Sequence, residues 1–224
     1  MDIITDVEQL SIRADEVDVR KDNQEVREIT VALKNAVREH SLLSLAANQI
    51  GFNKRIFVIN FNGDIRTFIN PVIMQVKGFE LSRETCSSIP DKSFIRPRHN
   101  NLQVIYQTPL GKIESKQFLG ASAKVFQHCL DHLDGLLLSD IGLEVDEMFD
   151  AATEEERQQV ISMYLDSLDI KQKEIDQEIE NDPELKRISE GIDFMTKVQK
   201  GEVQIEQVPV DPKTEEHKEK SEQE

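Results

Sequence analysis

The segment from Ala121 to Leu133 sets the tightest limit on the fold. Its apolar residues Val125, Phe126, Cys129, Leu130 and Leu133 fall at helical spacing, and Gly135 ends the pattern. The same stretch carries His128 and His132, four residues apart and so projecting from one helix face. A helix with this much apolar surface has to be covered by other elements, and it takes its two imidazoles with it. Two histidines so spaced can share one metal ion. Taken alone, the pair fits equally well a partly buried helix whose histidines are simply hydrogen-bonded.

The covering elements are legible on either side. From Gln24 to Gln49 the apolar positions Val26, Ile29, Leu33 and Val37, then Leu42, Leu43, Leu45, Ala46 and Ala47, predict a first helix with one apolar face. Ile56-Phe57-Val58-Ile59 and Phe68-Ile69 predict strands separated by the hairpin-type turn Asn62-Gly63-Asp64, with Asn70-Pro71 closing the second run. Leu102 to Tyr106 and Ile113 to Phe118 predict two more, flanking Pro109-Leu110-Gly111. Helix, strands, helix is an α+β order.

At 224 residues the chain exceeds one typical domain without reaching two. The net charge of -16 argues against direct nucleic-acid binding and against docking on anionic membranes. No apolar run is long enough to span a bilayer, and the N-terminus lacks the pattern of a signal peptide, so a cytoplasmic location is expected. The acidity is concentrated late: residues 151–224 hold 21 acidic and 10 basic side chains. Their pattern predicts a helix from Glu154 to about Glu180 and a second from Asp182, as N-cap before Pro183, to Lys200-Gly201. The second carries the stripe Leu185, Ile188, Ile192 and Met195, which packs on the domain or on a partner protein's helix. Three parts are therefore expected: a metal-binding domain over residues 1–150, an acidic helical extension over 151–210 and a disordered acidic tail over 211–224.

The two cysteines, Cys86 and Cys129, are too few for a disulfide framework. Cys86 lies in the polar stretch Glu84-Thr85-Cys86-Ser87-Ser88-Ile89-Pro90. With the two histidines it would complete a Cys-His-His set with one open position, the arrangement of a catalytic metal. Spacing alone leaves open whether Cys86 reaches the helix.

Three motifs in order carry a resemblance to the peptide deformylase family. Leu42-Leu43-Ser44-Leu45-Ala46-Ala47-Asn48-Gln49 resembles its first motif, Gly-x-Gly-apolar-Ala-Ala-x-Gln. Glu84-Thr85-Cys86-Ser87-Ser88 resembles the second, Glu-Gly-Cys-apolar-Ser, and Gln127 to His132 the third, Gln-His-Glu-x-Asp-His. The likeness extends over about residues 5–145 and takes in Phe68-Ile69-Asn70-Pro71 and His132-Leu133-Asp134-Gly135. It implies antiparallel sheets around a central helix that bears both histidines, and removal of the formyl group from the N-terminal formyl-methionine of nascent peptides. It further implies one divalent metal ion, Fe2+ or Zn2+ with Ni2+ or Co2+ as substitutes, held by Cys86, His128 and His132. Gln49 and the backbone N–H of Ser87 would stabilise the oxyanion, and Glu84 and Arg98 would form a supporting ion pair.

The departures from the family pattern bear on activity. Cys129 stands where the family has its general-base glutamate, and a thiol is shorter, with an ordinary pKa of ~8.5. Leu42, Ser44 and Thr85 replace glycines, which can narrow the cleft or shift the strand beside it. Position 129 lies ~100° around the helix from His128, pointing its sulfur near the open side of the metal without reaching it. Direct ligation by Cys129 would instead close a structural Cys2His2 site. The expectation is thus a deformylase-like metallohydrolase weakened at Cys129. The alternatives are an inactive deformylase fold kept as a binding or assembly module, and a zinc-stabilised domain whose working part is the extension.

Overall fold

The computed structural model describes residues 2–182. The expected helix after Asp182 and the expected tail from residue 211 lie outside the described residues. The described chain falls into two units, dividing after Gln159.

The first unit is built on one antiparallel sheet. After a short helix α1 (Val7–Leu10) and the helix α2 (Asn23–Glu39) come the strands β1 (Ser44–Ala46), β2 (Ile56–Phe61), β3 (Asp64–Cys86), β4 (Ile89–Gln107) and β5 (Ile113–Leu119), which pair in sequence order. The helix α3 (Ala121–Leu133) follows, then α4 (Leu138–Ile141), β6 (Leu143–Val145), which pairs with β4, and α5 (Glu147–Ala151). The helix α6 (Glu154–Asn181) runs on into the second unit. Its start is a capping box in which Glu156 N–H donates to Thr153 Oγ1 and Thr153 N–H donates to Glu156 Oε2. No helix among the described residues is long and apolar enough to cross a membrane.

The strand β2 explains why the sheet holds two helices. Ile56, Phe57, Val58 and Ile59 are all buried. Because successive side chains point to opposite faces, Ile56 and Val58 join a core with Val26, Ile29, Leu33 and Val37 of α2, while Phe57 and Ile59 join one with Phe126, Cys129 and Leu133 of α3. The second core is largely aromatic: Phe57 meets Phe126 edge-on with centroids 5.0 Å apart, and Phe68 meets Tyr106 at 4.7 Å. Asn62 and Gly63, both at positive φ, make the two-residue turn between Phe61 and Asp64.

Two expectations are corrected. The first helix ends at Glu39, not near Gln49, because Ser41 takes a left-handed φ of 53° and the chain then pairs Ser44 to Ala46 against β2. Ala47–Ile50 form a 3-10 turn, so the helix-like spacing of Leu42 to Ala47 is overridden by sheet pairing. Nor do Asn70-Pro71 close a strand. Asn70 is at φ 46° and the register slips between Ile69 and Val72, an irregularity that tolerates a proline with no N–H to give, and β3 continues to Cys86.

Candidate metal centre

The long β3 delivers Cys86 to the helix. Glu84 and Thr85 pair with Phe94 and Ser93 of β4, and the strand ends at Cys86, which pairs with Ile89 across the tight connection. The helix α3 is fixed by Gln127, whose side chain accepts from His99 N–H at 3.1 Å and donates to His99 C=O at 2.8 Å, so the amide mimics a paired strand residue. With strand end and helix both pinned, ligand atoms of Cys86, His128 and His132 all lie within 4.8 Å of one another. Cys86 Sγ is 3.2 Å from His132 Nε2.

The surroundings suit a metal. His128 Nδ1 lies 3.1 Å from Glu84 Oε2, the carboxylate contact that orients a ligating imidazole. Glu84 in turn takes Arg98 Nε at 2.7 Å and Nη2 at 2.8 Å, and Arg98 is almost wholly buried. His132 is buried, and its Nδ1 finds no protein partner among the described residues. Burial alone would raise the Cys86 pKa, but the facing His128 and His132 more than reverse this and hold it at about 5. Burial would lower His128, and Cys86 and Glu84 together raise it to about 9. A thiolate and two imidazoles this close form a donor set for a divalent transition ion.

Gln49 sits beside them. Its Oε1 accepts from Ala46 N–H at 2.9 Å, which aims the NH2 end at Ser88 Oγ, 3.1 Å away, and at Cys86 Sγ, 3.7 Å away. A cavity of about 350 Å3 opens here, lined by Leu42, Leu43 and Ser44 on one side and by Val125 and His128 of α3 on another. Gln49, Cys86 and Ser87 also line it. Cys129 stands apart from the cluster. It is buried among Ala46, Phe126 and Leu133, and that burial pushes its thiol up to about 12 despite the opposing effect of the nearby Ser44 side chain. Both cysteines are free thiols.

Leu42, Ser44 and Thr85 avoid the left-handed region, so replacing glycine strains no backbone there. All three nevertheless line the cavity. The sequence reading missed Asp131, whose Oδ2 takes Arg96 Nη1 and Arg98 Nη1 at 2.6 Å each, and it missed Ser88 as the partner of Gln49. Asp131 was visible inside the third motif and Ser88 at the end of the second, but only their contacts give them a part.

The sequence profile of polypeptide deformylases matches residues 2–145. A peptide deformylase of Dictyoglomus thermophilum is 31% identical over 126 residues, which span 56% of this chain and 82% of that protein. The crystal structure of peptide deformylase from Thermotoga maritima superposes with a TM-score of 0.58 at 28% identity, covering 63% of this chain and 95% of that one. A deformylase of a Vibrio parahaemolyticus bacteriophage, solved in complex with actinonin, gives 0.56 at 30% identity over 61% of this chain and 98% of its own.

Proposed function

Since the chain belongs to the polypeptide deformylase family, we propose that it holds one divalent metal ion through Cys86, His128 and His132 and receives the formylated N-terminus of a peptide in the adjoining cavity, as a hydrolase weakened at Cys129. The observation that carries this reading is the cluster of three ligand atoms within 4.8 Å, two of whose residues line a peptide-sized cavity. The thiolate and imidazole donors suit Fe2+ or Zn2+, with Ni2+ and Co2+ as substitutes. When bound, such an ion supplies a Lewis acid that polarises the formyl carbonyl and makes water nucleophilic near neutral pH.

The chain's own residues then divide the work. The Gln49 amide, held by Ala46 N–H, donates to the carbonyl oxygen as charge develops, and the Ser87 N–H is the second donor. Glu84, itself neutralised by Arg98, fixes the His128 ring. Proton transfer is the weak point. With its pKa pushed up to about 12, the Cys129 thiol keeps its proton at neutral pH and cannot act as general base. Glu84 is occupied by Arg98 and His128, and Asp131 by Arg96 and Arg98, so neither replaces it. Loss of a positioned base costs roughly 10²–10⁴-fold in rate. N-terminal methionine processing in the cytoplasm is the setting this reading implies.

Burial of Cys129 also favours a second reading, in which the fold binds formylated N-termini without turning them over. Deformylation of formyl-Met-Ala-Ser by iron- or cobalt-loaded protein prepared without oxygen, measured beside binding of the same peptide, separates the two. Slow but metal-dependent turnover supports the hydrolase, binding with no turnover supports the module, and absence of binding refutes both.

A further inference from the structure

The cavity beside the ligand cluster has a charge asymmetry that hydrolysis does not need. Two cations line it, Arg83 on β3 and Lys124 on α3. Each is half of an ion pair whose carboxylate lies outside the cavity lining. Arg83 Nη1 and Nη2 are 2.6 and 2.9 Å from the Asp150 carboxylate, and Lys124 Nζ is 3.0 Å from Glu80 Oε1. Glu84 is the carboxylate in the lining, and it is already engaged by buried Arg98 and by His128. A molecule entering the cavity therefore meets two cations whose paired carboxylates lie outside the lining.

The two cations can accept a second partner. Asp150 uses two of the five N–H donors of Arg83 and Glu80 one of the three of Lys124. The Arg83–Asp150 pair is about half exposed and the Lys124–Glu80 pair partly so, and a ligand carboxylate can share or displace Asp150 and Glu80 without the cost of breaking a fully buried pair. Leu42, Leu43 and Val125 supply apolar surface next to them. Apolar surface flanked by spare cationic donors suits a peptide that is apolar at its first residue and anionic shortly after. A formyl cap suits it too, because it removes the N-terminal ammonium that Arg83 and Lys124 would repel.

We propose that Arg83 and Lys124 select peptides carrying an acidic side chain within the first few residues after the formylated methionine. The inference rests on the reading of the cavity as a peptide site. To test it, the metal-loaded full chain is titrated calorimetrically with formyl-Met-Ala-Ser, formyl-Met-Ala-Glu, formyl-Met-Glu-Ser and formyl-Met-Ala-Lys. All four are amidated at the C-terminus so that no terminal carboxylate contributes.

An acidic peptide is expected to bind roughly 3- to 10-fold more tightly than the neutral one at low ionic strength, the lysine peptide most weakly, and the differences to shrink with added salt. In Arg83→Gln/Lys124→Gln, with folding checked by its melt, the preference should vanish while the neutral peptide still binds. Equal affinity for acidic and neutral peptides overturns the selectivity and leaves the peptide site standing. An acidic preference that survives in the double variant overturns its assignment to these residues. Failure of all four peptides to bind overturns the peptide site itself, and this inference with it.

Discussion

The Ser44 side chain lies near enough to the Cys129 thiol to oppose the rise that burial gives its pKa. Two residues that depart from the family pattern, one at a glycine and one at the general-base glutamate, are thus neighbours. Ser44 lines the cavity and Cys129 does not, so Ser44 is a neighbour that a longer side chain at position 129 has to accommodate. A glutamate there would also bring a charge among Ala46, Phe126 and Leu133. Ser44→Gly/Cys129→Glu is therefore expected to raise deformylation of formyl-Met-Ala-Ser by ~10²–10⁴-fold over the unaltered chain, and Cys129→Glu alone by less. Steady-state kinetics of the metal-loaded proteins decide it. A metal-binding double variant with unchanged kcat/KM would move the fault to Leu42 and Thr85.

Metal content is the second expectation. Reconstituted under reducing conditions, the chain should bind about one divalent ion, as the one three-donor cluster among the described residues implies, and gain thermal stability on doing so. Cys86→Ala or His132→Ala should abolish both effects. Elemental analysis of an unaltered chain that stays empty after reconstitution would remove the premise on which the proposed chemistry stands.

The parts legible in the sequence are those with a local cause. The α3 periodicity ends where Gly135, at φ 72°, lies so close to the Ser11 carbonyl that any side chain would collide. The Asn62-Gly63 turn and both histidines were readable for the same reason. What failed were long-range effects. Leu42 to Ala47 have helical spacing but are claimed by pairing with β2, and β3 runs through Val76 to Leu81, where all six residues are exposed and no apolar alternation marks a strand. The closeness of Cys86 to the histidines follows from that strand, so no local pattern could show it. Asp131 was hidden differently, because its partners Arg96 and Arg98 are more than thirty residues away along the chain.

The extent of the folding unit gives a third expectation. Asp150 pairs with Arg83, Asp146 caps α5 through Phe149 N–H, and Arg157 donates to the Asp150 carbonyl. We propose that a chain ending at Gln159 folds by itself, with a cooperative melt and retained metal binding. A chain ending at Gly142 loses β6, its pairing with Ser93 to Ile95 and the buried Val145, and should melt at lower temperature. A chain ending at Gln159 that is insoluble would place part of its core in the later segment.

The fourth expectation concerns acid. Burial alone would raise the Glu84 pKa, but the hydrogen bonds from Arg98 and His128 outweigh it and lower it from 4.5 to about 2. A carboxylate depressed on folding stabilises the native chain fully above its unfolded pKa, and the contribution drains away as pH falls from 4.5 through about 2. Its size at neutral pH is on the order of 3 kcal/mol. In chelator-treated protein, so that metal release does not contribute, denaturant unfolding should show stability falling steeply between about pH 5 and pH 2. Glu84→Gln should be less stable at pH 7, yet lose less of its stability over that interval, with Arg98 still held by Asp131. If both proteins lose stability in parallel as acid is added, the acid sensitivity resides in other carboxylates and the Glu84–Arg98 pair is not what the strand end depends on.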